Sequence, residues 1–257
     1  MASQLDSWKR QHAAGEKLLG KVLLKFFLAE DARVRDALGG TLTPAAVAQA
    51  VHESSERDAM LKAISPTLLG MMGTGAATVL KQSRPRAKKD FDPDELASFT
   101  LPQRVINAIG ATFGELEKQD FWLGIQQTYV ASITDLLTSG IEDGLSGPKL
   151  AKLLRETMPG MSKVRSAAIA RTETTAAYAA GHQASYDALA DEGLTGKVWL
   201  AVRDKDTRET HAELDGITVA AGEDFDVGGN DAPWPAHWSL PAEERVNCRC
   251  TTTAEFE

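Results

Sequence analysis

Cysteine is almost absent from this chain, which has 257 residues but only Cys248 and Cys250. So few thiols exclude a disulfide scaffold. Two cysteines without a secretion signal indicate a reducing compartment, where thiols stay free, bind metal or act as nucleophiles. Long apolar runs are missing as well, because the stretch from Leu18 to Leu28 is interrupted by Lys21 and Lys25. It predicts neither a transmembrane helix nor a signal peptide, so we expect synthesis in the cytoplasm and no membrane partner.

Common catalytic motifs are also missing. The sequence contains no glycine-rich nucleophile turn, no phosphate-binding loop and no His-Glu-x-x-His pattern. Its 43% hydrophobic and 25% charged residues are ordinary globular values, which exclude wholesale disorder. A chain of this length can bury a core in one large domain or two modest ones, and we expect two.

The charge is unevenly divided along the chain. Residues 1–90 contain 14 basic and 9 acidic side chains, whereas residues 91–257 contain 14 basic and 27 acidic ones. The resulting net charges of +5 and −13 indicate different partners for the two parts. A phosphate backbone would repel the acidic part, so any contact with DNA should come from the basic part. The candidate basic residues are Lys81, Arg84, Arg86, Lys88 and Lys89, although such runs are often simply solvated.

Helical spacing dominates the N-terminal part. Apolar residues recur every three or four positions over residues 5–38, and Gly39-Gly40 closes the segment. Thr43-Pro44 and Ser65-Pro66 each combine a cap with a first-turn proline, which predicts two further helices. The charged, proline-containing stretch that follows predicts a linker or exposed loop. The predicted divisions are a helical N-terminal region at 1–82, a basic linker at 83–94 and a C-terminal domain at 95–257.

The C-terminal domain is predicted to be helix-rich, with a small antiparallel sheet near its end. Helical spacing returns over residues 101–140. Pro148 begins a short helix that we expect to end near Pro159, and Ser162 is positioned to cap a long helix to about Glu192. Alternation predicts short strands at 197–203, 217–220 and 246–253, with a brief helix at 207–214. A small sheet packed on the long helix gives an α+β fold, and the alanine-rich stretch 176–180 predicts tight packing on that helix.

The two cysteines stand two positions apart, so a strand would place both thiols on one face. A disulfide would be strained, since extended Cα atoms at this spacing lie about 6.6 Å apart, near the upper limit for bridging. Metal binding is easier, because one zinc ion could join Cys248 and Cys250 with His211 as a third ligand. The candidates for a fourth ligand are Asp204, Asp206 and His237. Two alternatives stay open: thiols packed as small apolar groups, and a nucleophilic thiol with His211 as base and Asp204 as orienting group.

The residues before His211 predict a structural role. Asp206 or Thr207 can cap the brief helix, which leaves Arg208 and His211 three positions apart on one face. Arg208 would then reach a carboxylate in a buried ion pair that fixes the fold, and Glu173 is the first candidate.

Two further segments are expected to have structural roles and not to take part in chemistry. Asp215-Gly216 fits a hairpin turn between Leu214 and Ile217, because glycine permits a positive φ. Trp234 and Trp238 lie in a proline-containing loop and are expected to cover a core, since nearby aspartates disfavour stacking on nucleotides.

An ordered set of motifs runs through the C-terminal part of the chain. The motifs are Arg171-Thr172-Glu173-Thr174, Lys197-Val198-Trp199, Asp204, Thr207-Arg208, His211, Asp215-Gly216 and Asn247-Cys248-Arg249-Cys250. Over roughly residues 120–254 the chain resembles the C-terminal module of the phage head morphogenesis family typified by the Mu F protein. The resemblance implies structural signature roles for Arg171, Glu173, Thr207, Arg208, Gly216 and Asn247.

The same resemblance implies a non-enzymatic minor head protein of a tailed phage or prophage. Such a protein would be made in the host cytoplasm and carried in the virion near the portal vertex. It would assist head assembly, DNA packaging or DNA delivery, with the portal protein and other head proteins as partners. Two other functions stay open: a thiol- or metal-dependent enzyme using Cys248 or Cys250 with His211, and an accessory DNA-binding protein.

Overall fold

The computed structural model describes residues 2–38, 49, 57–83, 101–119, 121–190 and 193–256. The helices in these residues are α1 (Ala2–Leu38), α2 (Arg57–Gln82), α3 (Gln103–Glu117), α4 (Phe121–Glu142), α5 (Gly147–Leu189), α6 (Glu209–Glu213) and α7 (Ala242–Arg245). The strands are β1 (Leu194–Leu200), β2 (Thr218–Val219), β3 (Phe225–Asp226), β4 (Asp231–Ala232) and β5 (Thr251–Phe256). The fold is α+β, with long helices followed by a small antiparallel sheet near the C-terminus, as the sequence predicts.

The chain forms two compact units whose segments alternate along the sequence. The sheet unit comprises Met1–Leu18, Pro66–Lys118 and Ile169–Glu257, and the helical unit comprises Leu19–Ser65 and Gln119–Ala168. Helices α1, α2 and α5 each contribute to both units. The division into 1–82, 83–94 and 95–257 stays a prediction, and residues 84–94 of the linker lie outside the described residues.

The core of the helical unit is built from apolar residues four positions apart. Its fully buried members are Val34, Tyr129, Ile133, Leu137, Leu150, Leu154 and Met158. The last three continue one face of α5 up to Pro159, which lies inside the helix. The predicted break at this proline is therefore wrong. Burying three large side chains contributes about 1.5–3 kcal/mol each, which exceeds the roughly 3 kcal/mol that an internal proline costs.

Ser162 does not cap a new helix either, since it lies within α5 and its hydroxyl donates to Oδ2 of Asp31 at 2.8 Å. Tyr129 donates to the other oxygen of the same carboxylate. Burial raises the pKa of Asp31, and these two hydrogen bonds oppose that change. Ser162 is therefore part of a buried polar group inside the helical unit.

Ser65-Pro66 is also not a helix boundary, because α2 runs through Pro66. The Ser65 hydroxyl donates to the carbonyl of Leu61, four residues earlier in the helix. That bond is the local alternative that a serine offers inside a helix. The predicted boundary at this proline is wrong, and the one at Thr43-Pro44 lies outside the described residues.

Helices α2 and α5 approach one another closely within the sheet unit. A Cβ atom built at Gly181 would lie 2.0 Å from the carbonyl oxygen of Met72. At Gly75 it would lie 2.4 Å from the carbonyl oxygen of Tyr178. Only glycine fits where two backbones come this close. The tight packing predicted around the alanine-rich stretch is confirmed.

The three-stranded sheet has the order β2-β1-β5, and all its pairs are antiparallel. Lys197 pairs with Val219 on one side, and Leu200 pairs with Thr251 on the other. Strand β5 begins at Thr251, so the prediction of a strand from residue 246 is wrong for its first five residues. Cys248 and Cys250 instead lie on an irregular segment that leads into β5, with both side chains buried.

Among the described residues, one helix, Asp58–Gln82, is long and apolar enough to cross a membrane by length and composition. Half of its most apolar window is buried inside the protein, and buried core helices meet the same criterion.

His182 of α5 makes the sheet unit sensitive to acid. Burial lowers the pKa of His182 to about 4, although a backbone hydrogen bond with Thr252 acts in the opposite direction. The unfolded chain binds this proton below about pH 6.5, and the folded chain binds it only near pH 4. The stability that the neutral His182 contributes is therefore fully present above the unfolded pKa. It is lost as the pH falls through this window, by up to roughly 3 kcal/mol.

We expect His182→Gln to remove this contribution. In urea denaturation, the fall in unfolding free energy between about pH 7 and pH 4 should be smaller in the variant by roughly 3 kcal/mol. Other titrating groups are common to both proteins and cancel in the comparison. Equal pH dependence in the two proteins would show that His182 is not the responsible group.

Candidate functional site

Three side chains converge in the sheet unit to form the cysteine–histidine cluster, which consists of His211, Cys248 and Cys250. His211 lies on α6, and the two cysteines lie between α7 and β5. The Nδ1 atom of His211 is 3.6 Å from Sγ of Cys248 and 3.4 Å from Sγ of Cys250. Their candidate ligand atoms all lie within 4.8 Å of one another, and all three residues are buried.

Glu244 completes the surroundings of the imidazole on its other side. Its Oε2 atom lies 3.0 Å from Nε2 of His211 and accepts a hydrogen bond from Oγ1 of Thr210 at 2.9 Å. Oε2 of Glu244 and Nε2 of His211 are within hydrogen-bonding distance, but the contact is not well aligned in the part of the chain described. Sequence reasoning missed Glu244, although two glutamates just before the cysteine motif were a usable signal.

The pKa values of the two thiols shift in opposite directions because the thiols are hydrogen-bonded to each other. A hydrogen bond between them lowers the pKa of Cys248 well below its usual value and raises the pKa of Cys250 well above it. Burial acts upward on both, while His211 further lowers the pKa of Cys248. Trp199 packs edge-on against the His211 ring at 5.6 Å between centroids, which holds the imidazole in place. The cluster therefore presents two sulfur atoms of unequal acidity beside one oriented imidazole.

The backbone of the cysteine segment, residues 246–250, is held by side chains from distant parts of the sheet unit. Arg208 donates to the Val246 carbonyl at 2.6 Å, Thr175 to the Cys248 carbonyl at 2.6 Å, and Trp8 to the Arg249 carbonyl at 2.9 Å. Asn247 adopts a φ of +62°; its N–H donates to Oγ1 of Thr172 at 2.9 Å, and its Oδ1 accepts from Arg171 at 3.1 Å. Several predicted signature residues thus hold one short segment in a single conformation.

Glu173 and Arg208 do not pair, so that prediction is wrong. Arg245 of α7 instead places Nη2 2.6 Å from Oε1 of Glu173, with both side chains buried. Arg245 also donates from Nε to the carbonyl of Ala236. Arg208 lies at the N-terminus of α6, where its guanidinium reaches the backbone of the cysteine segment.

Asp204 lies outside the cysteine–histidine cluster. Its Oδ2 is 2.7 Å from Nη2 of Arg249, and its Oδ1 accepts from the backbone N–H of Asp206. Oγ1 of Thr207 accepts a hydrogen bond from the backbone N–H of Asp204. The position before α6 is Arg208, which makes no side-chain cap, so the predicted caps are wrong. These residues form a local turn before α6.

Gly216 occupies the predicted turn. Its φ is +87°, and the N–H of Ile217 donates to the carbonyl of Leu214 at 2.8 Å. Oδ1 of Asp215 accepts from the N–H of Ala201 at 2.7 Å, which ties the turn to the end of β1. The turn connects α6 to β2 rather than two directly joined strands.

The other predicted site residues lie apart from the cluster. The His237 imidazole contacts Ser239, with Nδ1 2.7 Å from the serine hydroxyl. Lys81 lies in the last turn of α2. The remaining basic candidates lie outside the described residues: Arg84, Arg86, Lys88 and Lys89. DNA contact through this segment stays a prediction.

Two cavities of about 180 and 350 Å³ open on the sheet unit. The first is lined by residues of α1, α2 and β5 together with His182, and the second by residues of α1 together with Arg203, Asp204 and Arg249. Neither lining includes His211 or a cysteine. Neither of these two cavities therefore opens directly onto the thiols.

Residues 131–253 match a family model described as "Phage Mu protein F like protein". Over this segment, which is slightly less than half of the chain, the protein is similar to the Mu F-like family. The match includes every residue of the cysteine–histidine cluster and the helix that carries Glu173, and it supports a phage head morphogenesis protein.

Two curated relatives are similar to about half of this chain. One is NAD(+)–arginine ADP-ribosyltransferase EFV of Enterococcus faecalis, 35% identical over 122 residues, which cover 47% of this chain and 25% of that protein. The other is the uncharacterized protein YqbB of Bacillus subtilis, 32% identical over 122 residues, which cover 46% of this chain and 39% of that protein. The chain thus spans well under half the length of either relative. No solved structure matches it significantly.

Proposed function

We propose that the chain is a minor head protein of a tailed phage or prophage. It is present in few copies, docks near the portal vertex and assists head assembly, DNA packaging or DNA delivery. The observation that carries this proposal is the Mu F-like match over residues 131–253. The contacts of the cysteine–histidine cluster support it, because its residues are buried in the sheet unit and line neither of the two cavities.

The burial of the thiols favours attachment over turnover. A nucleophilic cysteine must meet its substrate within hydrogen-bond reach of its base. Cys248, Cys250 and His211 are each at most 3% exposed. The arrangement of Glu244, His211 and Cys248 has the order of a catalytic triad, but its position in the core favours a structural role.

The charge of the chain supports protein partners for the Mu F-like segment. Residues 91–257 have an excess of 13 acidic side chains over basic ones. Such a surface is repelled by the phosphate backbone of packaged DNA. The segment is therefore better suited to contact other head proteins than to bind DNA directly.

The proposal is tested by locating the chain in assembling particles. Proheads and virions of the phage or prophage that encodes it are purified, crosslinked with a short amine-reactive reagent, and analysed by mass spectrometry. We expect peptides of this chain in both particles, at a few copies, with crosslinks to the portal protein.

Two results would contradict parts of this proposal. Absence of the chain from both proheads and virions would overturn a role in the head. Crosslinks confined to the major shell protein would overturn the portal location. Particles from a strain that lacks the chain provide the control for carry-over of cytoplasmic protein.

A further inference from the structure

The spacing of the cysteine–histidine cluster matches the coordination sphere of a zinc ion. Zinc–sulfur bonds of about 2.3 Å and zinc–nitrogen bonds of about 2.0–2.1 Å, at tetrahedral angles, separate sulfur and nitrogen ligands by about 3.5 Å. The two observed separations between Nδ1 of His211 and the Sγ atoms are 3.6 and 3.4 Å. Tetrahedral geometry also separates two sulfur ligands by about 3.8 Å, which is within the 4.8 Å that encloses the cluster.

Both sulfur atoms of the cluster converge on one nitrogen of His211. A neutral imidazole has one acceptor nitrogen, and that nitrogen can accept only one well-formed hydrogen bond. Both thiol groups nevertheless face the same Nδ1 atom of His211. A cation placed between the three atoms would use all three lone pairs at once.

Glu244 orients the imidazole for this purpose. Its carboxylate lies 3.0 Å from Nε2 and favours the tautomer with the proton on that nitrogen. The lone pair of Nδ1 then faces the two sulfur atoms. A carboxylate behind the histidine is the usual outer partner of zinc-binding imidazoles.

The ligand types select the metal. Two thiolates and an imidazole suit zinc, whereas magnesium and calcium prefer oxygen ligands. Both cysteines are free thiols, and the chain has no others with which they could pair. The ligands come from segments separated by 37 and 39 positions in the sequence. A metal here would therefore join the five-residue helix α6 to the cysteine segment.

We propose that His211, Cys248 and Cys250 bind one structural zinc ion through Nδ1 and the two Sγ atoms, and that Glu244 is the positioning residue for the imidazole. The fourth position is left to water. Asp204 is not a ligand, because its carboxylate is engaged by Arg249 and by the turn before α6.

The first test measures metal in the full-length wild-type protein. The protein is purified with its thiols reduced and without chelators, and its zinc content is measured by mass spectrometry. Cobalt(II) is then titrated into protein stripped of metal. We expect one zinc per chain, and a thiolate-to-cobalt charge-transfer absorption with the d–d intensity of a four-coordinate ion. Far less than one equivalent of zinc, together with no charge-transfer band, would overturn the proposal without relying on any variant.

The second test separates the ligands from their neighbours. We expect Cys248→Ser/Cys250→Ser to abolish the cobalt band, and Glu244→Gln to weaken zinc affinity roughly 10- to 100-fold. Asp204→Asn is the matched control and should keep full zinc content. If Asp204→Asn loses zinc as completely as the double cysteine variant, the proposed ligand set is wrong. An unchanged affinity in Glu244→Gln would overturn the positioning role.

Discussion

Replacing Arg245 by methionine is expected to lower the free energy of unfolding of the sheet unit by about 3–5 kcal/mol. Nη2 of Arg245 lies 2.6 Å from Oε1 of Glu173, and the two side chains are only 9% and 3% exposed. Burial raises the pKa of Glu173, and Arg245 opposes this change through its charge and hydrogen bond. Without Arg245, a carboxylate stays in the core with no compensating charge.

The experiment is urea denaturation followed by tryptophan fluorescence, since Trp199 and Trp234 are buried in the sheet unit. Arg203→Met is the matched control, because Arg203 pairs with Asp215 but its side chain is 69% exposed. A pair of this kind contributes at most about 1 kcal/mol. The double variant Glu173→Leu/Arg245→Met should recover much of the loss, since it removes both buried charges. Equal effects of the two arginine substitutions would contradict the prediction.

The second large effect is expected at Gly181. Changing Gly181 to alanine should destabilise the protein by about 3 kcal/mol or more, at the upper end of the range for overpacking. The added Cβ would lie 2.0 Å from the carbonyl oxygen of Met72, which belongs to the backbone of α2. A flexible side chain could move away from such a contact, but a helical backbone must move as a whole.

The matched control is Gly70→Ala, in helix α2 of the same unit. Gly70 is exposed, and a Cβ atom there would meet nothing within 4 Å. Alanine at an open helical position stabilises by about 0.5–1 kcal/mol relative to glycine. The same substitution is thus expected to have opposite signs at the two sites. Thermal unfolding of the two variants checks this, and a neutral or stabilising Gly181→Ala would show that the helices do not cross as closely as described.

The substitutions at Gly181 and Arg245 disturb different contacts that hold the cysteine segment in place. Gly181 lies at the crossing of α2 and α5, and α5 also supplies the threonines that hold the cysteine segment. Arg245 joins α5 directly to the helix that precedes that segment, and its carbonyl accepts the N–H of Cys248. In both variants we therefore expect the cysteine–histidine cluster to lose order together with the fold.

The contacts also show what two of the motifs that carry the family resemblance do in the structure. The first motif supplies Arg171, Thr172 and Glu173, which contact Asn247 and Arg245. The motif around His211 supplies Arg208, which binds the Val246 carbonyl. These two motifs thus each contact the last motif or the residues directly before it. Their joint presence is needed to hold one short irregular segment in place.

The sequence alone was sufficient for the features that depend on local patterns. Helical spacing of apolar residues predicted the extent of α1. The alternation of apolar and polar residues after Gly196 predicted a small sheet packed on a long helix. The motif order was enough to indicate the Mu F-like family. The spacing of Cys248 and Cys250 beside His211 indicated a candidate metal site. These inferences hold because the period of buried residues and the order of short motifs are properties of the chain before it folds.

Only the tertiary structure decided which distant residues meet. Local rules predicted breaks at Pro66 and Pro159, yet both helices continue, and at Pro159 the buried face of α5 outweighs one lost backbone hydrogen bond. Spacing could not tell that Glu173 meets Arg245, 72 positions away, rather than Arg208. The contact of Glu244 with His211 also emerged only in the structure, although the sequence places two glutamates just before the cysteine motif. Ion pairs and ligand shells depend on distances in space, and residues far apart in sequence acquire those distances only when the cores of the two units form.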